Sequence, residues 1–202
     1  LLFGAKVTMD SAKSLRLHSS KPRCRVDLVD FINKSGALPR RTSVDIQHAC
    51  GWLVSWMAEK LSQGVSLHMK SFGHLVVAKV NARRITTPKG KVCDVKERYT
   101  VRLRRQPAGV RCLKRADIEA AIVKGLQYKK KEASALWSEW LNFLSDSLLS
   151  LHPVQLRGFG VFHVHRRPEG ERKNLHTGKM VRAPEKLYFK FSPSDKLNIN
   201  PQ

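Results

Sequence analysis

The sequence predicts an α+β fold made from two copies of one unit, and three observations carry that reading. A strand–turn–strand signature centred on Gly158-Phe159-Gly160 has an earlier counterpart around Phe72-Gly73. A dozen apolar positions match between the two copies at a single offset of 87 residues. The Lys and Arg residues crowd into two stretches at corresponding places in the copies.

The signature runs from Val154 to Val164. Val154 and Leu156 alternate before its centre, and Phe159, Phe162 and Val164 follow, which is the pattern of strands with one buried face. Two glycines around a Phe give a tight reversal, because Gly accepts positive φ at low cost. The offset of 87 carries Leu67 to Val154, Met69 to Leu156, Phe72 to Phe159, Leu75 to Phe162 and Val77 to Val164. Upstream it carries Ile46, Ala49, Cys50, Leu53, Trp56, Met57 and Leu61 to Ala133, Leu136, Trp137, Trp140, Phe143, Leu144 and Leu148. A repeat of this kind decides the fold class before any single element does.

Taken in order, residues 1–25 are basic with one acid, Asp10, and carry Ser and scattered Leu. They read either as an organelle-targeting presequence or its remnant, or as a basic tail that touches nucleic acid. Residues 26–105 form the first unit. Val26, Val29, Phe31 and Ile32 predict a short amphipathic helix that ends at Ser35-Gly36 and Pro39. Ser43 is the expected N-cap of a second, longer helix, with Asp45 favoured in its first turn. The stripe from Ile46 to Leu61 recurs at three- and four-residue steps, and Gly64 ends it.

Residues 79–105 hold ten Lys or Arg against Asp94 and Glu97, a net of +8. Thr86-Thr87-Pro88-Lys89-Gly90-Lys91 has turn composition, and Tyr99, Val101 and Leu103 alternate with polar residues after it. A long basic hairpin is expected. Residues 106–114 are expected to be a linker, and 115–202 the second unit. Its first helix matches Leu28 and Ile32 to Ile118 and Ile122 at an offset of 90; its second runs from about Ala133 to Leu149. The second hairpin, residues 166–190, holds eight Lys or Arg against Glu169, Glu171 and Glu185, a net of +5, and its offset has grown to 88.

Composition narrows the function. The chain has 202 residues, 42% of them apolar, and a net charge of +22. That charge calls for a polyanion as partner: DNA, RNA or an anionic surface. There is no run of 18 apolar residues, so no membrane span is expected. Cys24, Cys50, Cys93 and Cys112 are widely spaced, which argues against zinc and disulfide frameworks and for a reduced compartment. His163 and His165 share a strand face, but no third ligand lies at a telling spacing. No cofactor, metal or enzymatic activity is expected.

The two helices, the Gly158-Phe159-Gly160 turn, Asn174 with Thr177-Gly178-Lys179, and Phe189-Lys190-Phe191-Ser192-Pro193-Ser194 together resemble the HU/IHF family of bacterial histone-like proteins. The first unit keeps Phe72-Gly73 and Gly90-Lys91 but lacks Asn-x-x-Thr-Gly. Residues 1–25 lie outside the resemblance. It implies tandem HU/IHF-like repeats closing into an intramolecular pseudo-dimer, with a helical base and two β-arms that embrace the DNA minor groove. It also implies an apolar wedge at each arm tip. Leu175 holds that place in the second arm; in the first, Thr87 holds it and Pro88 comes one residue later. Backbone contacts are expected from Arg83, Arg84, Lys89, Lys91, Arg98 and Arg102, and from Arg166, Arg167, Arg172, Lys173, Asn174, Lys179, Arg182 and Lys190.

Two functions follow. One is an architectural DNA-binding protein. The other is an HU-like pair serving as a structural subunit of a large assembly: foremost a mitochondrial ribosome, with rRNA and ribosomal proteins as partners, and then a ciliary or cytoskeletal structure. The presequence-like start favours a mitochondrial location and leaves nuclear and cytoplasmic ones open.

Overall fold

The computed structural model describes residues 21–86, 92–104, 111–174, 176–197 and 199. Helices α1 (Arg25–Ser35) and α2 (Ser43–Ser62) are followed by strands β1 (Ser66–Met69), β2 (Gly73–Val80), β3 (Arg83–Thr86), β4 (Val92–Val95), β5 (Arg98–Arg104) and β6 (Cys112–Leu113). The order then recurs: α3 (Arg115–Leu126), α4 (Lys130–Leu149), β7 (Val154–Leu156), β8 (Gly160–Arg167), β9 (Gly170–Lys173), β10 (Met180–Ala183) and β11 (Lys186–Pro193). At both of their ends, α2 and α4, β2 and β8, and β3 and β9 are 87 residues apart. β4 and β10 are 88 apart, so the residue gained in the second arm falls between its two outer strands.

Each helix opens the same way. The backbone N–H groups of Cys24, Thr42, Lys114 and Lys129 donate to the carboxylates of Asp27, Asp45, Asp117 and Glu132, at 2.6, 3.0, 2.8 and 2.9 Å. An acid three residues into a helix satisfies an end donor and suits the helix dipole. The cap of α2 is Thr42, whose Oγ1 accepts from the Asp45 N–H at 3.2 Å; Ser43 is one residue inside. In α1 the buried residues are Leu28, Val29 and Ile32, while Val26 faces solvent.

The first sheet has the order β5-β2-β1-β6 and the second β11-β8-β7. Leu75, Val101, Phe162 and Phe191 project from them into one buried cluster that also takes in all four helices. That cluster crosses between the halves. Phe31 of α1 meets Phe143 of α4 edge-on at 5.6 Å, and Phe72 meets Phe189 at 5.4 Å. Each such aromatic pair adds about 1 kcal/mol to the area it buries.

Two expected boundaries move. Cys112 and Leu113 were expected in the linker, but as β6 they pair in parallel with Ser66 and Leu67 of β1. Of the rest of that segment, the Arg111 carbonyl accepts from the Ser66 N–H at 3.0 Å and Lys114 caps α3, while residues 106–110 lie outside the described residues. At the other end, Arg25 opens α1, and Arg23 bridges to Val154 beside β7. The Arg23 N–H donates to the Pro153 carbonyl at 2.9 Å, and its own carbonyl accepts from Gln155 at 2.8 Å. Its guanidinium reaches Asp146 at 2.8 Å. The segment before the first helix of each half thus extends the sheet of the other half. Strand pairing is cheap for a short segment because its backbone groups must be satisfied in any case.

Candidate nucleic-acid interface

Both arms are hairpins in two stages. β2 pairs with β5 and then, past a break at Asn81-Ala82 and Lys96-Glu97, β3 pairs with β4. β8 pairs with β11 and, past Pro168-Glu169 and Pro184-Glu185, β9 pairs with β10. A proline in each connection of the second arm removes a ladder donor, which ends the inner stage.

Cross-strand register assigns the faces, because directly paired residues project to the same side. Leu75 with Leu103, Val77 with Val101, Phe162 with Phe191 and Val164 with Phe189 form the core side. The opposite side carries His74 with Arg104, Val76 with Arg102 and Val80 with Arg98 in the first half. In the second half it carries His163 with Lys190, His165 with Tyr188 and Arg167 with Lys186. Val76 agrees with this assignment: it is 3% exposed yet does not join the core cluster. Strands β5 and β11 lie side by side. Arg98, Arg102, Arg104, Lys186 and Lys190 therefore line adjoining strands on one helix-distal surface, and all five are exposed.

Several expected contacts are already engaged. Arg84 holds Asp94 at 2.9 Å, Arg166 holds Glu185 at 2.6 Å, and Arg182 holds Glu169 at 2.5 Å. The Glu185 carboxylate keeps the Arg166 guanidinium firmly protonated. These pairs are exposed and screened by solvent, so they add little to stability, and a phosphate can replace the carboxylate. Arg172 donates to the Pro168 carbonyl at 2.8 Å. Asn174 serves the turn: its Oδ1 accepts from the N–H groups of His176 and Thr177 at 2.9 and 3.4 Å, and its carbonyl accepts from Gly178 at 2.8 Å. Gly178 has φ +68°, which Gly tolerates best. The Asn-x-x-Thr-Gly-Lys signature is turn chemistry here, and it leaves Lys179 exposed.

Arg83, Lys173 and Arg167 are exposed, with no ion pair among the described residues. Lys89, Lys91 and Leu175 lie outside the described residues, as do Thr87 and Pro88. Arg104 and Lys186 were missed in the sequence. Their parity with Arg102 and Lys190 was the available signal, since alternate residues of a strand share a face.

Four histidines stand among these cations. The His68 and His74 rings stack at 4.6 Å, and His74 Nδ1 lies 3.3 Å from Cys112 Sγ. Burial lowers the pKa of His74, and the neighbouring His68 lowers it further. Burial likewise lowers His163, with Lys190 and His165 acting in the same direction and the Val161 backbone opposing. Among the described residues, no group of three or more His, Cys, Asp or Glu is arranged to hold a metal ion, and no helix is long and apolar enough to cross a membrane.

Comparison with known proteins places a likeness in the second half. Residues 113–200 match the family model described as bacterial DNA-binding protein. The integration host factor subunit beta of Burkholderia cenocepacia (strain HI2424) is 36% identical over 67 residues, covering 33% of this chain and 63% of that protein. The same subunit of Burkholderia vietnamiensis (strain G4 / LMG 22486) matches to the same extent. The match thus spans less than two thirds of these relatives' length. Among solved structures, an Anabaena HU–DNA cocrystal structure is similar with 24% identity and a TM-score of 0.38, covering 42% of this chain and 91% of that one.

Proposed function

With residues 113–200 matching the bacterial DNA-binding protein family as premise, we propose that the chain is a non-enzymatic architectural protein that binds duplex DNA. The two halves act as paired family units, with the helices as base and the hairpins as arms. The observation that carries this reading is the helix-distal surface along β5 and β11, where Arg98, Arg102, Arg104, Lys186 and Lys190 stand together between the arms. Cations spaced along neighbouring strands neutralise successive phosphates and release counterions without reading bases. The outer stages of the arms add Arg83, Lys173 and Lys179. Lys89, Lys91 and the wedge role of Leu175 belong to the same proposal.

The test is a titration of the full chain with duplex DNA over a salt series, alongside end-to-end energy transfer within the duplex. Binding that weakens steeply with salt, together with a shortened end-to-end distance, supports the reading. Binding without a salt slope overturns it.

A second reading is favoured by the unequal arms: the sequence between β3 and β4 is one residue shorter than that between β9 and β10 and lacks the Asn174-type signature. Such a pair would hold phosphates of structured rRNA in an organellar ribosome, where a wedge is not needed. A wide RNA minor groove suits surface cations better than a clamp. Preference for structured RNA over duplex DNA in the same titration selects this reading.

A further inference from the structure

The seam between the halves is built from unlike residues at equivalent places. Arg41 immediately precedes the cap of α2, and Tyr128 immediately precedes the cap of α4. They are 87 residues apart in sequence, and in space they touch: the Arg41 guanidinium lies over the Tyr128 ring, 4.0 Å from its centroid. Arg41 also donates to Glu132 at 2.8 and 3.3 Å, and the Tyr128 hydroxyl donates to the Asp45 carbonyl at 3.5 Å. Asp45 and Glu132 are themselves equivalent, each the third residue of its helix.

The packing follows the same rule. Trp52 of α2 lies against Gly125, where a Cβ would come within 2.1 Å of the indole. The position equivalent to Gly125 in the first half is Ser35, and that equivalent to Trp52 in the second is Glu139. Phe31 against Phe143 on one side answers to Ala121 and Trp56 on the other. Two first halves brought together would set Arg41 against Arg41 and force Ser35 onto Trp52 twice. Two second halves would leave Glu132 without its guanidinium and pair Ala121 with Phe143, opening space on both sides. Like charges at contact and overpacking both cost free energy, and so do cavities.

We infer that the seam discriminates between self and non-self: each half accepts the other half of its own chain and rejects a copy of itself. The inference rests on the paired-unit reading above. Its consequence is that the protein works as one chain with two unlike arms in fixed order, and does not assemble with a second copy through this surface.

The experiment needs no nucleic acid, so its failure is separable from failure of DNA binding. A protease site is inserted among residues 105–110 of the full chain, the folded protein is cleaved, and the halves are unfolded and refolded together. Mixed pairs in about tenfold excess or more over like pairs are expected. Like pairs in comparable amounts, or unpaired halves, overturn the inference. Independently of refolding, Tyr128→Arg in the intact chain lowers the melting temperature. Adding Arg41→Tyr restores at least half of that loss, because the new Arg then faces the new Tyr and Asp45. A double variant that melts no higher than Tyr128→Arg overturns it as well.

Discussion

The Phe72 ring, at the turn between β1 and β2, packs on Phe189 of β11 with 5.4 Å between centroids and 51° between planes. The turn of one half is thus covered by the return strand of the other half's arm. Replacing either ring with Ala is expected to cost about 3 kcal/mol through lost burial and a residual cavity. A double-mutant cycle followed by urea unfolding is expected to give a coupling of about 1 kcal/mol. Zero coupling would mean that the two rings are stabilised by separate surroundings.

The two glycines of the second turn are expected to respond differently to alanine. Gly158 has φ +80° with nothing within 4 Å of a Cβ, so Gly158→Ala bears only the backbone penalty of about 1–2 kcal/mol. A Cβ on Gly160 would lie 2.4 Å from the Ser192 carbonyl oxygen and 2.6 Å from the Phe191 ring. Gly160→Ala must push β11 away from β8, and a loss of more than about 3 kcal/mol is expected in chemical denaturation. Equal losses would place the constraint in φ alone.

Surface cations on β5 and β11 should matter more than those already matched to carboxylates. Arg102→Gln and Lys190→Gln are each expected to lower duplex affinity and to reduce the salt slope by about 1. Arg84→Gln, which releases Asp94, is expected to change the slope less. Fluorescence anisotropy at three salt concentrations reads this directly. A larger effect from Arg84→Gln would move the binding surface outward along the first arm.

Stability is expected to fall as pH drops from 7 to 5.5. His74 and His163 titrate below their ordinary value in the folded chain because burial disfavours their charge. Unfolded histidines take up protons near pH 6.5, so between that pH and the lower folded values the unfolded state binds more protons and is favoured. The depressed carboxylates of Asp27 and Glu132 act in a lower window: their stabilisation is complete above their unfolded pKa and is lost as pH falls through the folded one. Thermal melts of His74→Gln/His163→Gln are expected to show a flatter profile between pH 7 and 5.5. An unchanged slope would assign the pH dependence to other groups.

The helices and the Gly158-Phe159-Gly160 turn were legible because their signals are periodic. The stripe from Ile46 to Leu61 and its copy at Ala133–Leu148 fix both faces and register. β6 was illegible, since two residues carry no period and Pro107 with Gly109 reads as punctuation. Its pairing with β1 is a tertiary event. Asn174 was recognised as part of a signature, yet its role in closing the turn follows only from the hydrogen bonds it accepts. The engagement of Arg84, Arg166 and Arg182 by carboxylates was hidden for a similar reason: Asp94, Glu169 and Glu185 were counted as reductions of net charge, and register decides which cation each one meets.

The exchange of leading segments has a consequence for how the chain is made. Among the described residues, the edge of β1 is covered by residues 111–113, and the edge of β7 beside Val154 by Arg23, about 130 positions earlier. Neither half completes its sheet from its own residues. An N-terminal half emerging during synthesis therefore keeps an open strand edge until Leu113 has followed it, and the final closure waits for a contact between the two most distant parts of the pairing. Such distant closures are slow to find. The last event in folding is thus expected to be the docking of Arg23, a step that would show itself as a late kinetic phase absent from a chain cut before residue 24.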